Sequence, residues 1–96
     1  MKKFVIVVTP TAIVDIQNGI DYYKAIDKAL GIRFHNSIKS TFNELKQNPF
    51  YQIRYKEVRL RTVKKFPYVV HFVVKGNEVR IYGVLFSKME KTEIEV

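Results

Sequence analysis

The hydrophobic residues change their spacing once along this chain, at the dipeptide Asn48-Pro49. Before it, apolar side chains recur every three or four residues, which is the period of helices buried on one side. After it, from Tyr51 to Phe86, they alternate with polar residues at the period of strands. Because proline pushes the preceding residue out of the helical region, the last helix is predicted to end at this dipeptide. Helices are therefore expected first and an antiparallel sheet afterwards.

One strand and two helices are predicted before the change. Residues 4–8 form a continuous apolar, largely β-branched run, which is typical of a buried strand. Thr9-Pro10 then starts a helix, because the threonine oxygen can accept an amide hydrogen while proline has none to satisfy. After a break over residues 26–31, with Asp27 as its cap, a second helix follows. The two apolar stripes are Ile13, Ile16, Ile20 and Tyr23, and Phe34, Ile38, Phe42 and Leu45.

Four strands are predicted after the change. The turn Gly76-Asn77 joins the last two and sets their register, which places Phe72 opposite Ile81 and His71 opposite Tyr82. The result is an α+β fold in the order β-α-α-β-β-β, with two antiparallel helices packed on one face of a mainly antiparallel sheet. Residues 1–96 are expected to form one domain. The predicted strands are Tyr51–Arg54, Val58–Thr62, Tyr68–Lys75 and Glu78–Phe86.

The third of the predicted strands along the chain lies in a strongly basic segment. Residues 54–65 contain six basic residues and one acid, and Arg59 and Arg61 share one face of their strand. We predict a five-residue loop over residues 63–67, which pairs Thr62 with Tyr68 and sets Arg59 opposite His71. A four-residue loop would turn both arginines into the core, at a cost of several kcal/mol for each unpaired buried charge.

With this loop, five polar side chains share one exposed face of the sheet, and they are the predicted catalytic residues. His71 and Tyr82 are the pair that could exchange a proton near neutral pH. Alternatively, His71 and Tyr82 form an aromatic cross-strand pair that only stabilises the sheet. The alternative for Arg59 and Arg61 is that they lie on a strand face exposed to solvent and have no functional role. The candidate catalytic residues are Arg59, Arg61, His71, Arg80 and Tyr82, and the candidate nucleic-acid contacts are Arg54, Lys56, Lys64 and Lys65.

The composition excludes several classes of site. The chain has no cysteine, and its two histidines lie far apart without nearby acids, so neither a metal nor a cofactor is expected. A net charge of +8 favours a polyanionic partner. No apolar run approaches the roughly 20 residues of a membrane helix. A cytoplasmic protein without a membrane partner is expected.

Short motifs spread over nearly the whole chain form an ordered set. They are Thr9-Pro10-Thr11-Ala12, Asp15-Ile16, Tyr22-Tyr23, Leu30-Gly31 with Phe34 and Ile38, Leu45, Asn48-Pro49-Phe50, Ile53-Arg54-Tyr55, Phe66-Pro67-Tyr68 and Ile81-Tyr82-Gly83-Val84-Leu85. This set resembles the RelE/ParE superfamily of bacterial toxins, and its order and spacing fit the plasmid-stabilisation branch. Each motif is weak alone, whereas the ordered set is fairly specific.

The resemblance implies the toxin of a type II toxin–antitoxin module, neutralised by a small antitoxin that wraps around its helices and groove. Some members of the superfamily cut messenger RNA on the ribosome without a metal, and others inhibit DNA gyrase and cut nothing. In the nucleases, strand arginines hold the scissile phosphate, and the matching residues here are Arg59 or Arg61, and Arg80. Guanidinium groups placed there would stabilise the extra negative charge of the phosphorane.

The expected function is growth inhibition through the basic sheet face, which engages RNA on the ribosome and cuts it if the site is active. Two alternatives stay open: a relative that binds antitoxin or nucleic acid without chemistry, and an inhibitor of DNA gyrase. A homodimer and a toxin–antitoxin hetero-oligomer are both compatible with the resemblance.

The C-terminal part of the chain departs from the superfamily. Relatives carry a histidine after the last strand and an arginine three residues on, where this chain has Phe86 and Met89. Phenylalanine cannot transfer a proton and methionine cannot hold a phosphate. The alternating segment 90–96 is either a short added strand or a frayed tail.

Overall fold

A computed structural model describes residues 3–87. Within this range two helices and five strands follow one another, one for each predicted segment, so the order is β-α-α-β-β-β-β and has one strand more than β-α-α-β-β-β. The prediction for residues 90–96 lies outside the described residues. The elements are β1 (Val5–Val8), α1 (Pro10–Ile26), α2 (Lys28–Gln47), β2 (Ile53–Tyr55), β3 (Val58–Thr62), β4 (Tyr68–Lys75) and β5 (Glu78–Phe86).

Both helices begin where the sequence places their caps. The Thr9 hydroxyl accepts a hydrogen bond from the Ala12 amide, and Pro10 occupies the first turn of α1. The Asp27 carboxylate accepts a hydrogen bond of 2.9 Å from the Ala29 amide at the start of α2. The break between the helices is Asp27 alone instead of residues 26–31, because its extended backbone ends α1 and caps α2 at once.

The five strands form one sheet in the order β1-β5-β4-β3-β2. β1 runs parallel to β5, and the remaining neighbours are antiparallel. Both helices pack on one face, which confirms the α+β prediction. No helix within residues 3–87 is long and apolar enough to cross a membrane. The buried residues of the helix-side core are Ala12, Phe34, Ile38, Leu45, Val63, Val70, Phe72, Val79, Ile81 and Val84.

β2 is shorter than predicted. It begins at Ile53, and Tyr51 instead belongs to a turn in which its amide donates to the Pro49 carbonyl at 2.9 Å. Tyr51 faces the helix side of the sheet, where its ring meets Phe72 edge-on. The alternation of apolar and polar residues extends back to Tyr51 because its side chain packs inward, although its backbone does not pair with a neighbouring strand.

The predicted register between β3 and β4 is wrong by one residue. The Val63 amide donates to the Tyr68 carbonyl at 2.8 Å, so the loop is the four residues 64–67. Thr62 therefore pairs with Val69, and Arg59 lies opposite Phe72 instead of His71. Since residues directly opposite each other share a face, Arg59 and Arg61 lie on the helix side of the sheet.

The register between β4 and β5 is as predicted from the turn as far as Phe72, which pairs with Ile81. A β-bulge then follows, so His71 lies opposite Gly83, and the predicted pairing of His71 with Tyr82 is wrong. A bulge sets two residues of one strand against one of the other, which a simple count from the turn does not reveal.

The centre of the helix-side core is the Phe34 ring. It packs edge-on against the rings of Phe66 and Tyr68, with centroid separations of 5.2 and 4.9 Å, and against Tyr23 at 5.2 Å. Gly19 of α1 lies over this ring, and a Cβ atom there would come within 2.6 Å of Phe34 Cε2. The glycine is thus what allows α1 to approach α2.

Gly19→Ala should therefore destabilise the protein, although alanine is the better helix former by about 1 kcal/mol. The Phe34 ring is fully buried among the rings of Tyr23, Phe66 and Tyr68 and can shift only by displacing them, so we expect a net loss of about 1–3 kcal/mol in the free energy of unfolding. Urea unfolding followed by circular dichroism measures it. Asn18→Ala, at an exposed position of the same helix, is the matched control, and a Gly19→Ala protein as stable as wild type would refute the packing argument.

Candidate functional site

The two strand arginines occupy the helix side of the sheet without being enclosed in the core. α2 ends at Gln47 and does not cover this part of β3, so the guanidinium groups lie beside the end of the helix and the turn after it. We call Arg59, Arg61, Glu44, Phe50 and Tyr51 the arginine edge. The energetic cost predicted for an unpaired, buried arginine does not arise, because each guanidinium group donates a hydrogen bond here.

Arg61 is paired with a carboxylate that the sequence analysis did not single out. Its Nε and Nη2 atoms donate to Glu44 Oε1 at 3.1 and 2.9 Å. This contact raises the pKa of Arg61, and its guanidinium carbon lies 5.1 Å from the centre of the Tyr51 ring. Both side chains are about one-third exposed, so the pair contributes at most about 1 kcal/mol to stability.

Arg59 is held by the turn that follows α2. Its Nη1 atom donates to the Tyr51 carbonyl at 3.1 Å, and its guanidinium carbon lies 5.3 Å from the centre of the Phe50 ring. The Nε atom is buried, and no described residue accepts its hydrogen. The side chain is therefore fixed in position while its hydrogen-bonding capacity is only partly used.

His71 lies on the opposite face of the sheet from the arginine edge, in an apolar setting. It is 6% exposed, beside the buried Val58 and Val73, which do not belong to the helix-side core. Its Nδ1 atom is 3.0 Å from the Tyr55 hydroxyl. Burial lowers the pKa of His71, which favours the neutral ring as an acceptor for the Tyr55 hydrogen.

Arg80 also lies on the face away from the helices. It pairs with Glu78 at 2.9 Å, and its pKa is raised by Glu78 and then by the Tyr82 hydroxyl. The prediction that all five candidate catalytic residues share one face is therefore wrong. Arg59 and Arg61 are on one side of the sheet, and His71, Arg80 and Tyr82 are on the other. Their catalytic roles stay predictions.

The four candidate nucleic-acid contacts fall into two separate pairs. Arg54 and Lys56 are exposed on β2 and on the turn between β2 and β3. Lys64 and Lys65 are exposed on the β3–β4 loop, where Lys65 has a left-handed backbone with φ of 69°. The structure does not bring the two pairs together on one strand face.

The β3–β4 loop forms a groove with α2 that the sequence analysis missed. The groove has a volume of about 400 Å³. Its helical wall follows the positions 33, 37 and 40, and the same stripe continues to Glu44 of the arginine edge, since residues three and four apart share a helix face. These polar residues at helical spacing are the sequence pattern from which the groove wall could have been predicted. The groove is lined by Leu30, Arg33, Asn36, Ser37, Ser40, Lys64, Lys65 and Phe66.

Thr9, the N-cap of α1, and Asp15, in the first half of that helix, are hydrogen-bonded to β5 on either side of the bulge. The Thr9 hydroxyl donates to the Ile81 carbonyl at 2.8 Å, and the Val84 amide donates to Asp15 Oδ2 at 3.1 Å. β1 pairs with β5 only as far as Ile81, so the Val84 amide lies beyond its end and is satisfied by Asp15. Burial raises the pKa of Asp15, and the hydrogen bond from Val84 partly opposes that shift.

Comparisons with known proteins identify the fold. No family model and no curated protein matches the chain. A chain in the solved structure of the "Chromosomal ParDE TA system from P. aeruginosa" is similar, with a TM-score of 0.75 and 21% identity. The match covers 85% of this chain and 94% of that one. At this identity the likeness shows the fold, which is the one that the RelE/ParE resemblance implies.

The buried His71 should make stability depend on pH. Its folded-state pKa lies below the ordinary value of 6.5, so the unfolded chain takes up the proton first as the pH falls. The free energy of unfolding should therefore decrease below about pH 6.5, by at most about 1.4 kcal/mol per pH unit. Urea titrations at several pH values measure the slope.

His71→Gln keeps an acceptor for the Tyr55 hydroxyl but does not titrate, and it should flatten this slope. His35→Gln, at an exposed position of α2, is the control and should keep it. An unchanged slope in His71→Gln would show that other groups cause the pH dependence.

Proposed function

We propose that this protein is the toxin of a type II toxin–antitoxin module. The proposal is supported by the fold likeness to a chain of a ParDE TA system over most of both chains. It is also supported by the ordered set of short motifs that resembles the RelE/ParE superfamily and extends over nearly the whole sequence. The first line of support compares the path of the backbone, and the second compares short sequence patterns.

The outer surface of the helices supports a protein partner of the antitoxin kind. Large contiguous apolar patches on a protein surface commonly mark sites of contact with another protein, and Tyr22 and Ile26, four residues apart, adjoin on one face of α1. The exposed side chains on the two helices are Ile13 (55%), Val14 (56%), Tyr22 (60%), Ile26 (62%) and Ile32 (57%). We propose that an antitoxin covers part of this surface.

We further propose that the toxin acts by binding its target and not by cutting RNA. The observation that carries this step is the separation of the candidate catalytic residues onto two sides of the sheet. His71 is buried and bonded to Tyr55, and Phe86 occupies the position where the superfamily nucleases carry a histidine. Among residues 3–87, no proton donor of that kind therefore stands beside Arg59 and Arg61. The target class that the resemblance offers for a toxin without chemistry is DNA gyrase.

Metal-independent cleavage of messenger RNA on the ribosome is the second candidate, and one contact favours it. Glu44 lies 2.9 Å from Arg61, at the surface. A carboxylate in that place could take the proton of a ribose 2′-hydroxyl, whose oxygen then bonds to the adjacent phosphorus as the P–O5′ bond breaks. The leaving 5′-oxygen would take a proton from solvent water, while the two arginines stabilise the charge on the phosphate. This mechanism would use the arginine edge in place of the sheet face predicted from the sequence.

Induced expression of the chain in bacteria separates these proposals. We expect growth arrest with altered plasmid supercoiling and intact messenger RNA. Arrest with messages cut in a ribosome-dependent assay, and loss of cutting in Glu44→Gln, would establish the second candidate instead. Normal growth at a level of soluble protein equal to that of a known toxin would contradict the toxin proposal itself.

The double variant Arg59→Ala with Arg61→Ala should abolish growth arrest, because it removes both cations of the arginine edge. The change in stability should stay small, since the Arg61–Glu44 pair is partly exposed. Arg80→Ala, on the other face, is the matched control and should remain toxic. Thermal unfolding confirms that the variants fold. A toxic double variant together with a harmless Arg80→Ala variant would move the functional surface to the far face.

A further inference from the structure

The groove between α2 and the β3–β4 loop concentrates cations that no carboxylate within residues 3–87 neutralises. Arg33 lies on the helical wall, and Lys64 and Lys65 lie on the loop wall. Within residues 3–87 none of these three side chains forms an ion pair, whereas Arg61, Lys75 and Arg80 each pair with a glutamate. The positive potential of the groove is therefore available to an anion from outside.

Small hydrogen-bonding side chains lie between these cations. Asn36, Ser37 and Ser40 follow Arg33 along the same flank of α2. Hydroxyl and amide groups beside arginine and lysine are the usual donors to phosphate and sugar oxygens of nucleic acids. In the part of the chain that the structure describes, no acidic residue lines the groove. A nucleic-acid strand lying along it would meet cations on both walls.

We propose that this groove binds the phosphate groups of a single nucleic-acid strand. The site is distinct from the arginine edge, although the two adjoin along α2, and it does not depend on the protein being a toxin. The groove supplies contacts to the backbone and not to base edges, so binding is largely independent of sequence. RNA and DNA share the phosphate chemistry, and the experiment compares them.

Fluorescence anisotropy with purified protein tests the site. The probes are a labelled single-stranded RNA and a DNA of the same sequence, each of about 12 nucleotides. The groove variant is Arg33→Gln, Lys64→Gln and Lys65→Gln in one chain. The control variant, Lys28→Gln, Lys39→Gln and Lys46→Gln, removes the same charge from the opposite flank of α2. Circular dichroism checks that both variants fold.

The groove variant should bind at least about tenfold more weakly, and its salt slope should fall by about 2, because three phosphate contacts are lost at roughly 0.7 each. The control should retain most of the affinity and the slope. Equal losses in both variants would overturn the site and leave only a general charge effect. Unchanged binding in the groove variant would overturn it as well.

Ser40→Asp gives a second test if the triple variant does not fold. A single carboxylate at this exposed position should repel phosphate and weaken binding of both probes, whereas Ser40→Asn should not. A labelled poly-glutamate peptide is the competing occupant. Selective binding of that peptide, with no binding of either oligonucleotide, would assign the groove to an acidic protein segment and refute the proposal. Weaker binding of DNA than of RNA would support the phosphate site and indicate an added contact to ribose.

Discussion

The hydrogen bond from the Val63 amide to the Tyr68 carbonyl closes the loop between β3 and β4 at four residues. Because successive side chains of a strand point to opposite faces, this closure decides the face of every residue on β3. It places Val63 in the core and Arg61 beside the end of α2. It also leaves Lys64 and Lys65 on the loop, where they face Arg33 across the groove. The arginine edge and the groove both result from this one register.

The position of β5 depends on a second set of contacts, made by α1. β1 covers only the first part of β5, and the bulge at Tyr82 interrupts the pairing with β4. Thr9 and Asp15 provide hydrogen bonds on both sides of that irregularity. An unsatisfied amide at Val84 would cost about 1–3 kcal/mol if buried, so a partly buried Asp15 is tolerated there in spite of its desolvation. Asp15 belongs to one of the motifs that carry the resemblance, and in the structure its carboxylate accepts the hydrogen bond of the Val84 amide.

Local signals in the sequence predicted most of the fold. The caps at Thr9 and Asp27 act within one helical turn, and the Gly76-Asn77 turn fixes the pairs nearest to it. The register of β3 could not be derived in the same way, because Val63 fits equally well as a loop residue and as a core residue. An arginine that faces the helix side of the sheet is costly only where the core encloses it. Arg59 and Arg61 are not enclosed because α2 ends before it covers β3, which is a property of the packed structure and not of any local pattern.

The functional site was predicted less well than the fold because the sequence does not show which basic residues pair with acidic residues. The net charge of +8 is a property of the composition, but its effect depends on which cations are already paired. Arg61 and Arg80 both have a glutamate within 2.9 Å. An anion that binds either arginine must compete with that carboxylate, whereas one that enters the groove meets Arg33, Lys64 and Lys65 directly. Among residues 3–87 the three groove cations have no carboxylate competitor, unlike Arg61 and Arg80, although Arg59 and Arg61 form the more conspicuous pattern in the sequence.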